Sequence, residues 1–366
     1  MDDNRRQSCR PEPRMTQTTA ARDDGAPIHH QDDLPTQIPH AEGTTLMHAH
    51  PRTAPATAPT TTPREPVSGS PRRVGPLTGQ AGRAVLALAG LTGSMLVLGT
   101  PTADAAVPGL MRVERHSAFD SSSTKRATAT CPAGKRVVGA GTHVHQGAGE
   151  VAVQALRPAA DLRSVTVRAV EADSYAGTWR LTAYAICAES LPGLQLVHKS
   201  STSSSADSKG VTASCPDRKK LVGTGADITA GNGAVVLNSL RPNGSLTSSP
   251  TRHTAHAFEA DPYARNWRLT AYAICATGLP GLTRAERSSN SASADNVSVP
   301  VQCRAGKRTT GMGVEIRGGS GEVVLNSLRP DGSTTQAPRT TTGQAFEEDP
   351  YPAKWRLTTY AICANQ

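Results

Sequence analysis

The chain has 366 residues, a net charge of +9, and an aromatic content of 3 Trp, 6 Tyr and 3 Phe. That length admits two or three domains, and the basic balance draws the chain towards anionic partners without naming one. No stretch holds helical apolar spacing over a full window, which excludes a helical bundle.

Taken in chain order, residues 1–80 are rich in Pro, Thr, Ala and His and contain no aromatic residue. Such a segment cannot bury enough apolar area to offset chain entropy, so it is expected to be disordered. Residues 81–106 follow as "RAVLALAGLTGSMLVLGTPTADAA" from Arg83 onward. A basic flank, a short apolar core and the triplet Ala103-Asp104-Ala105 have the order of a secretory signal, cleaved after Ala105 or Ala106. The apolar run from Ala84 to Leu98 reaches about 22 Å as a helix, short of a bilayer core of about 30 Å. A membrane partner is therefore expected only if the signal stays uncleaved. The long stretch before this core suggests a start further along, at Met47 or Val67, or a cytoplasmic tail.

Three copies of one unit follow, at 107–190, 191–278 and 279–366, opened by "VPGL", "LPGL" and "LPGL". "CPAGKRVVGAG", "CPDRKKLVGTG" and "CRAGKRTTGMG" align within them, as do "ALRP", "NSLRP" and "NSLRP". The decapeptide "WRLTAYAICA" appears at Trp179 and Trp267, and "WRLTTYAICA" at Trp355. In it Trp179, Leu181, Ala183, Ala185 and Cys187 share one strand face, the core face, while Arg180, Thr182, Tyr184 and Ile186 share a face that begins polar and ends apolar. "VAVQAL", "AVVLNSL", "EVVLNSL" and "SVTVRAV" read as further strands between Gly and Arg-Pro punctuation. The fold class is all-β: three tandem sandwich or Greek-key-like units, with a compact pseudo-threefold arrangement preferred over a string of beads. Trp179, Trp267 and Trp355 are predicted core residues.

Six cysteines permit fifteen pairings, but only pairing inside each unit treats the copies alike: Cys131 with Cys187, Cys215 with Cys275, Cys303 with Cys363. A zinc site would use close C-x-x-C pairs, which these are not. In an exported chain disulfides are expected, each contributing about 4 kcal/mol in the chain-entropy model.

The pattern C-P-x-G-K near the start of a unit and Y-A-I-C-A at its end resembles repeats of an uncharacterised family of secreted actinobacterial proteins. The resemblance covers 107–366 and departs at Asp217-Arg218 and at Arg304. It implies export and a β fold, and no activity.

Candidate chemistry is sparse. The carboxylate pairs Glu171/Asp173, Glu259/Asp261 and Glu347/Asp349 could mimic a glycosidase pair, but "DPY" reads as a turn into the Trp strand. His143 and His145 point one way on a strand, yet the other units hold Asp227 and Thr229, then Glu315 and Arg317, so they read as a solvated face. No serine lies in G-x-S-x-G, and "GAG", "GTG" and "GMG" read as bulges or close sheet contacts. The dibasic pairs Lys135-Arg136, Lys219-Lys220 and Lys307-Arg308 are the candidate polyanion site. The functional expectation is a secreted, non-enzymatic β-repeat protein without a cofactor, binding an anionic cell-wall or extracellular polymer. A surface coat protein or a secreted hydrolase are the alternatives. No specific nucleic acid partner is expected, and the sequence sets no oligomeric state.

Overall fold

The structure is a computed structural model, and it describes residues 106–147, 149–319 and 321–366. The expected disordered segment and signal sequence lie outside the described residues.

Unit one contributes β1 (Met111–His116), β2 (Thr124–Thr130), β3 (Lys135–His145), β4 (Val151–Pro158), β5 (Ser164–Glu171) and β6 (Arg180–Glu189). Unit two contributes β7 (Gln195–Ser200), β8 (Ser208–Ser214), β9 (Lys220–Thr229), β10 (Val235–Pro242), β11 (Arg252–Glu259) and β12 (Arg268–Ala276). Unit three contributes β13 (Thr283–Ser288), β14 (Asn296–Gln302), β15 (Lys307–Arg317), β16 (Val323–Pro330), β17 (Thr340–Glu347) and β18 (Arg356–Asn365). No helix occurs among the described residues. Each copy thus folds as six antiparallel strands.

The strands do not close into three private sandwiches. They form three six-stranded sheets, ordered β1-β6-β3-β16-β17-β14, β13-β18-β15-β10-β11-β8 and β2-β5-β4-β9-β12-β7. Every sheet takes the first, sixth and third strands of one unit and the fourth, fifth and second strands of another. The joins are β3–β16, β9–β4 and β15–β10, so unit one bonds unit two, unit two bonds unit three, and unit three returns to unit one. The order is cyclic, a pseudo-threefold ring. The first two seams also have covalent links, whereas Val107 N–H donates to Asn365 O at 3.2 Å where the third seam closes.

Alternation sets which side chains turn inward. In β2 Lys125, Ala127 and Ala129 are buried while their neighbours are exposed, and in β5 Val165, Val167 and Ala169 are buried. The central β4 is buried on both faces from Val151 to Leu156. Disulfides Cys131–Cys187, Cys215–Cys275 and Cys303–Cys363 join the end of the second strand to the sixth strand of the same unit. Those strands belong to different sheets, so each bond staples the two half-sheets of a unit together. Trp179, Trp267 and Trp355 are fully buried. The decapeptide strand is buried on its second face as well: Thr182 and Ile186 are inaccessible, and the Arg112 guanidinium covers Tyr184 at 5.3 Å.

At the centre the backbones nearly touch. A Cβ on Gly139 would lie 2.2 Å from Thr310 O, one on Gly311 2.2 Å from Val222 O, and one on Gly223 2.0 Å from Val138 O. Each glycine of the first "G" in GAG, GTG and GMG therefore meets the next unit around the ring, beside a register shift in its own strand. These are the close contacts expected of those glycines. The turn after the first cysteine also survives its changes of sequence. Gly134 and Gly306 have φ of 79° and 76°, and Arg218 adopts φ 65° at the same place. The same turn bond, Lys219 N–H to Pro216 O at 3.1 Å, matches Lys135 to Pro132 and Lys307 to Arg304.

Gly223→Ala should lower stability by about 1–3 kcal/mol, the range for overpacking a tight site. Chemical denaturation checks this, and an unchanged midpoint would mean the axis is looser than described.

Candidate functional site

Each buried indole is held by the carboxylate eight residues before it. Trp179, Trp267 and Trp355 donate Nε1–H to Glu171, Glu259 and Glu347 Oε1 at 2.9, 2.9 and 2.8 Å. The second oxygens of Glu259 and Glu347 accept the backbone N–H of Tyr263 and Tyr351, both at 3.1 Å. The first carboxylate of each E-x-D motif thus ties the loop to the strand behind it. Sequence reading missed the buried lysines beside two of these rings. Lys125 Nζ lies 4.8 Å from the Trp179 ring and pairs with Asp120. Lys209 Nζ lies 4.2 Å from the Trp267 ring and donates to Ser204 O and Trp267 O at 2.7 and 2.5 Å. Unit three carries Val297 there. A cation over an indole gains from the ring quadrupole, more so when desolvated.

The dibasic pairs divide into two roles. Lys135, Lys219 and Lys307 each donate Nζ–H to the carbonyl of the glycine in the opening P-G turn, Gly109, Gly193 and Gly281. Lys219 also reaches Gln195 Oε1 at 2.5 Å, and Lys307 reaches Asn365 Oδ1 at 2.7 Å. Their shared work is to pin the start of a unit to its third strand. Arg136, Lys220 and Arg308 are half-buried beside them. The positive charge stays, while its donors are partly committed.

The three seams differ more than the sequence suggests. Asp227 on β9 faces Arg157 of unit one at 3.8 Å and Arg168 at 3.6 Å. Burial raises the Asp227 pKa, opposed by those two guanidinium groups. Glu315 on β15 faces Arg241 of unit two at 3.7 Å and Arg317 at 3.1 Å, and accepts the Tyr360 hydroxyl at 2.7 Å. Burial pushes Glu315 up, but Tyr360, Arg317 and Arg241 together pull it below its ordinary value. At the third seam the equivalent residue is His143, paired in register with Ser327 of unit three.

His143 is not on an open solvated face. It is half-buried with His145, their rings 4.1 Å apart. Thr182 Oγ1 shares hydrogen bonds with His116 Nδ1 at 2.8 Å and His145 Nε2 at 2.9 Å. Burial, then the nearby His145, Arg329 and Arg180, lower the His143 pKa from 6.5 to about 4. Beside them opens a cavity of about 420 Å³ lined by Phe119, His143, His145, Arg180, Gln344 and Phe346, among others. No three His, Cys, Asp or Glu converge as a metal-binding group among the described residues.

A second departure from symmetry concerns Glu348, where units one and two hold Ala172 and Ala260. Burial, then Asp173, Asp261, Glu322 and Asp349, raise its pKa from 4.5 to about 8. Neighbouring loops meet here: a Cβ on Gly149 would lie 2.3 Å from Glu347 O.

No family model matches the chain, and no curated protein is similar to it.

Glu259→Ala leaves the Trp267 N–H without a partner and should cost about 1–3 kcal/mol, read by denaturant titration. The Glu348 shift has a definite sign. The folded chain keeps a proton that the unfolded chain releases, so this group makes stability fall as pH rises from about 4.5 to about 8. The half-buried His143 and the buried His253, both lowered to about 4, make stability rise with pH, but only below 6.5. Glu348→Ala should therefore flatten the decline between pH 6.5 and 8 and raise the melting temperature at pH 8. An equal decline in both proteins would contradict the assignment.

Proposed function

We propose that this chain is an exported, non-enzymatic β-repeat protein that binds an anionic polymer outside the cell. Three disulfides fit an oxidising compartment. The observation that carries the reading is electrostatic. The whole excess charge of +9 lies beyond residue 106, in the part that holds the three units. The ring repeats that charge around its axis: Arg157, Arg241 and Arg329 occupy one exposed position at the three seams. The dibasic pairs repeat it again at the unit openings. A rigid array of arginines at equivalent places suits a repeating polyanion, with Arg157 and Arg241 each facing a carboxylate, Asp227 or Glu315, across its seam.

Purified protein should be retained on an immobilised polyanion such as heparin or teichoic acid, and not on neutral dextran. Affinity should fall at least about tenfold between 50 and 200 mM salt, as counterion release requires when several phosphate or sulfate charges are contacted. Absence of retention at low salt, or retention that salt does not alter, would count against the proposal.

A further inference from the structure

The pseudo-symmetry of the seams is broken in one direction. Each seam sets an arginine of the L-R-P motif opposite one position of the neighbouring third strand. Two seams fill that position with a carboxylate, Asp227 or Glu315. The third keeps Arg329 and replaces the carboxylate with His143, and no ion pair to Arg329 occurs among the described residues. The change extends to the next strand. Arg168, whose guanidinium donates to Gln154 Oε1 at 3.1 Å and Ile228 O at 2.5 Å, fills the first seam. Its counterpart in the third seam is the shorter, neutral Gln344, at the wall of the cavity.

Two polar atoms are left there without partners: His143 Nδ1 and the Arg180 Nε–H are buried with no hydrogen bond. A buried polar atom with no partner costs stability unless something completes it. The remaining groups suit a ligand larger than a bare ion. Asn326 and Gln344 supply amides, Phe346 an apolar wall, and Phe119 is 51% exposed beside the Arg180 guanidinium, 6.0 Å from its ring centroid. A volume of about 420 Å³ holds a group of monosaccharide size.

We propose that the groove at the seam of units one and three binds an acidic sugar residue, its carboxylate standing where Asp227 and Glu315 stand at the other seams. This deepens the polyanion reading by naming one subsite for it, and rests on that reading for its biological setting. The shared chemistry is an oxyanion, so a phosphate group is the competing occupant. Binding should be coupled to protonation. Besides burial, the charges that disfavour the protonated form of His143 are His145 on β3, Arg329 on β16 and Arg180 on β6, while His116 and Glu114 of β1 act on the neighbouring His145, and Glu114 and Arg112 on Tyr184. An oxyanion brought among them reverses that balance, so affinity rises as pH falls.

The test follows the histidine ring resonances of the full chain by NMR while glucuronate, inorganic phosphate or glucose is added at pH 5.5 and 7.5. Glucuronate should shift His143 and His145 saturably, and bind about tenfold more tightly at the lower pH, because the anion returns His143 from about 4 to its ordinary 6.5 and the proton is then taken up between the two pH values. Glucose should produce no such shift. His143→Asp and His145→Thr copy unit two, which already folds with those residues. Either variant should keep the melting transition and lose at least about tenfold in glucuronate affinity by that criterion. If His143→Asp does not fold, His145→Thr decides alone. Equal binding of glucose, phosphate bound as tightly as glucuronate, unchanged affinity in a folded variant, or no response at all would each overturn the assignment. A folded variant that loses glucuronate but stays on the polyanion column would leave the wider reading standing without this subsite.

Discussion

Everything in this ring depends on how closely three backbones approach one another at its centre. Gly139, Gly223 and Gly311 stand against carbonyls of the neighbouring units at distances that leave no room for a methyl group. With larger residues there, the third strands would have to move apart, and the two-residue joins β3–β16, β9–β4 and β15–β10 would be the first pairings to suffer. Those joins make sheets of six strands out of halves of three. They also shelter the inner edges of the half-sheets, which are otherwise open to pairing with other chains. A second polar layer lies close by: Thr224 donates to Met312 O at 2.6 Å and Gln154 to Val235 O at 3.0 Å, both between units.

Around that axis each unit is made rigid by contacts that cross its own two half-sheets. The disulfide ties the second strand to the sixth, and the Trp–Glu bond ties the fifth strand to the start of the sixth. The lysine over the indole in units one and two holds the strand position that Val297 holds in unit three. A unit of under ninety residues buries a modest core of its own, and much of its shelter comes from its neighbours. Thr182, Thr270 and Thr358, polar residues on the outer side of the decapeptide strand, are buried too, and they bond inside their own units to His116 and His145, to Ser200 and to Ser288.

Much of this could be read in the sequence. Repetition of the Cys, Trp and Gly motifs in fixed register gave three like units, and equal treatment of the copies gave the disulfide pairing. Alternation in "WRLTAYAICA" correctly put Trp179, Leu181, Ala183, Ala185 and Cys187 on a buried face. What alternation cannot reveal is the partner of a strand, so the exchange of half-sheets between units was invisible: β4 pairs with β9 of the next unit through only Ala155 and Leu156. The same ignorance of partners hid the second buried face of the decapeptide and the carbonyls that take up Lys135, Lys219 and Lys307. The asymmetry at the third seam was on the page as His143 against Asp227 and Glu315. It carried no meaning until the arginine opposite each of them was known.

The central claim is that unit three returns to unit one. Ser121, Ser205 and Ser293 are equivalent and exposed, one per unit. Cysteines placed there in pairs, with Cys9 replaced by Ser, accept spin labels without disturbing the native disulfides. Double electron–electron resonance should give three closely similar distances, including the one between positions 121 and 293. A 121-to-293 distance about twice the other two would describe a string of units, and would contradict the ring.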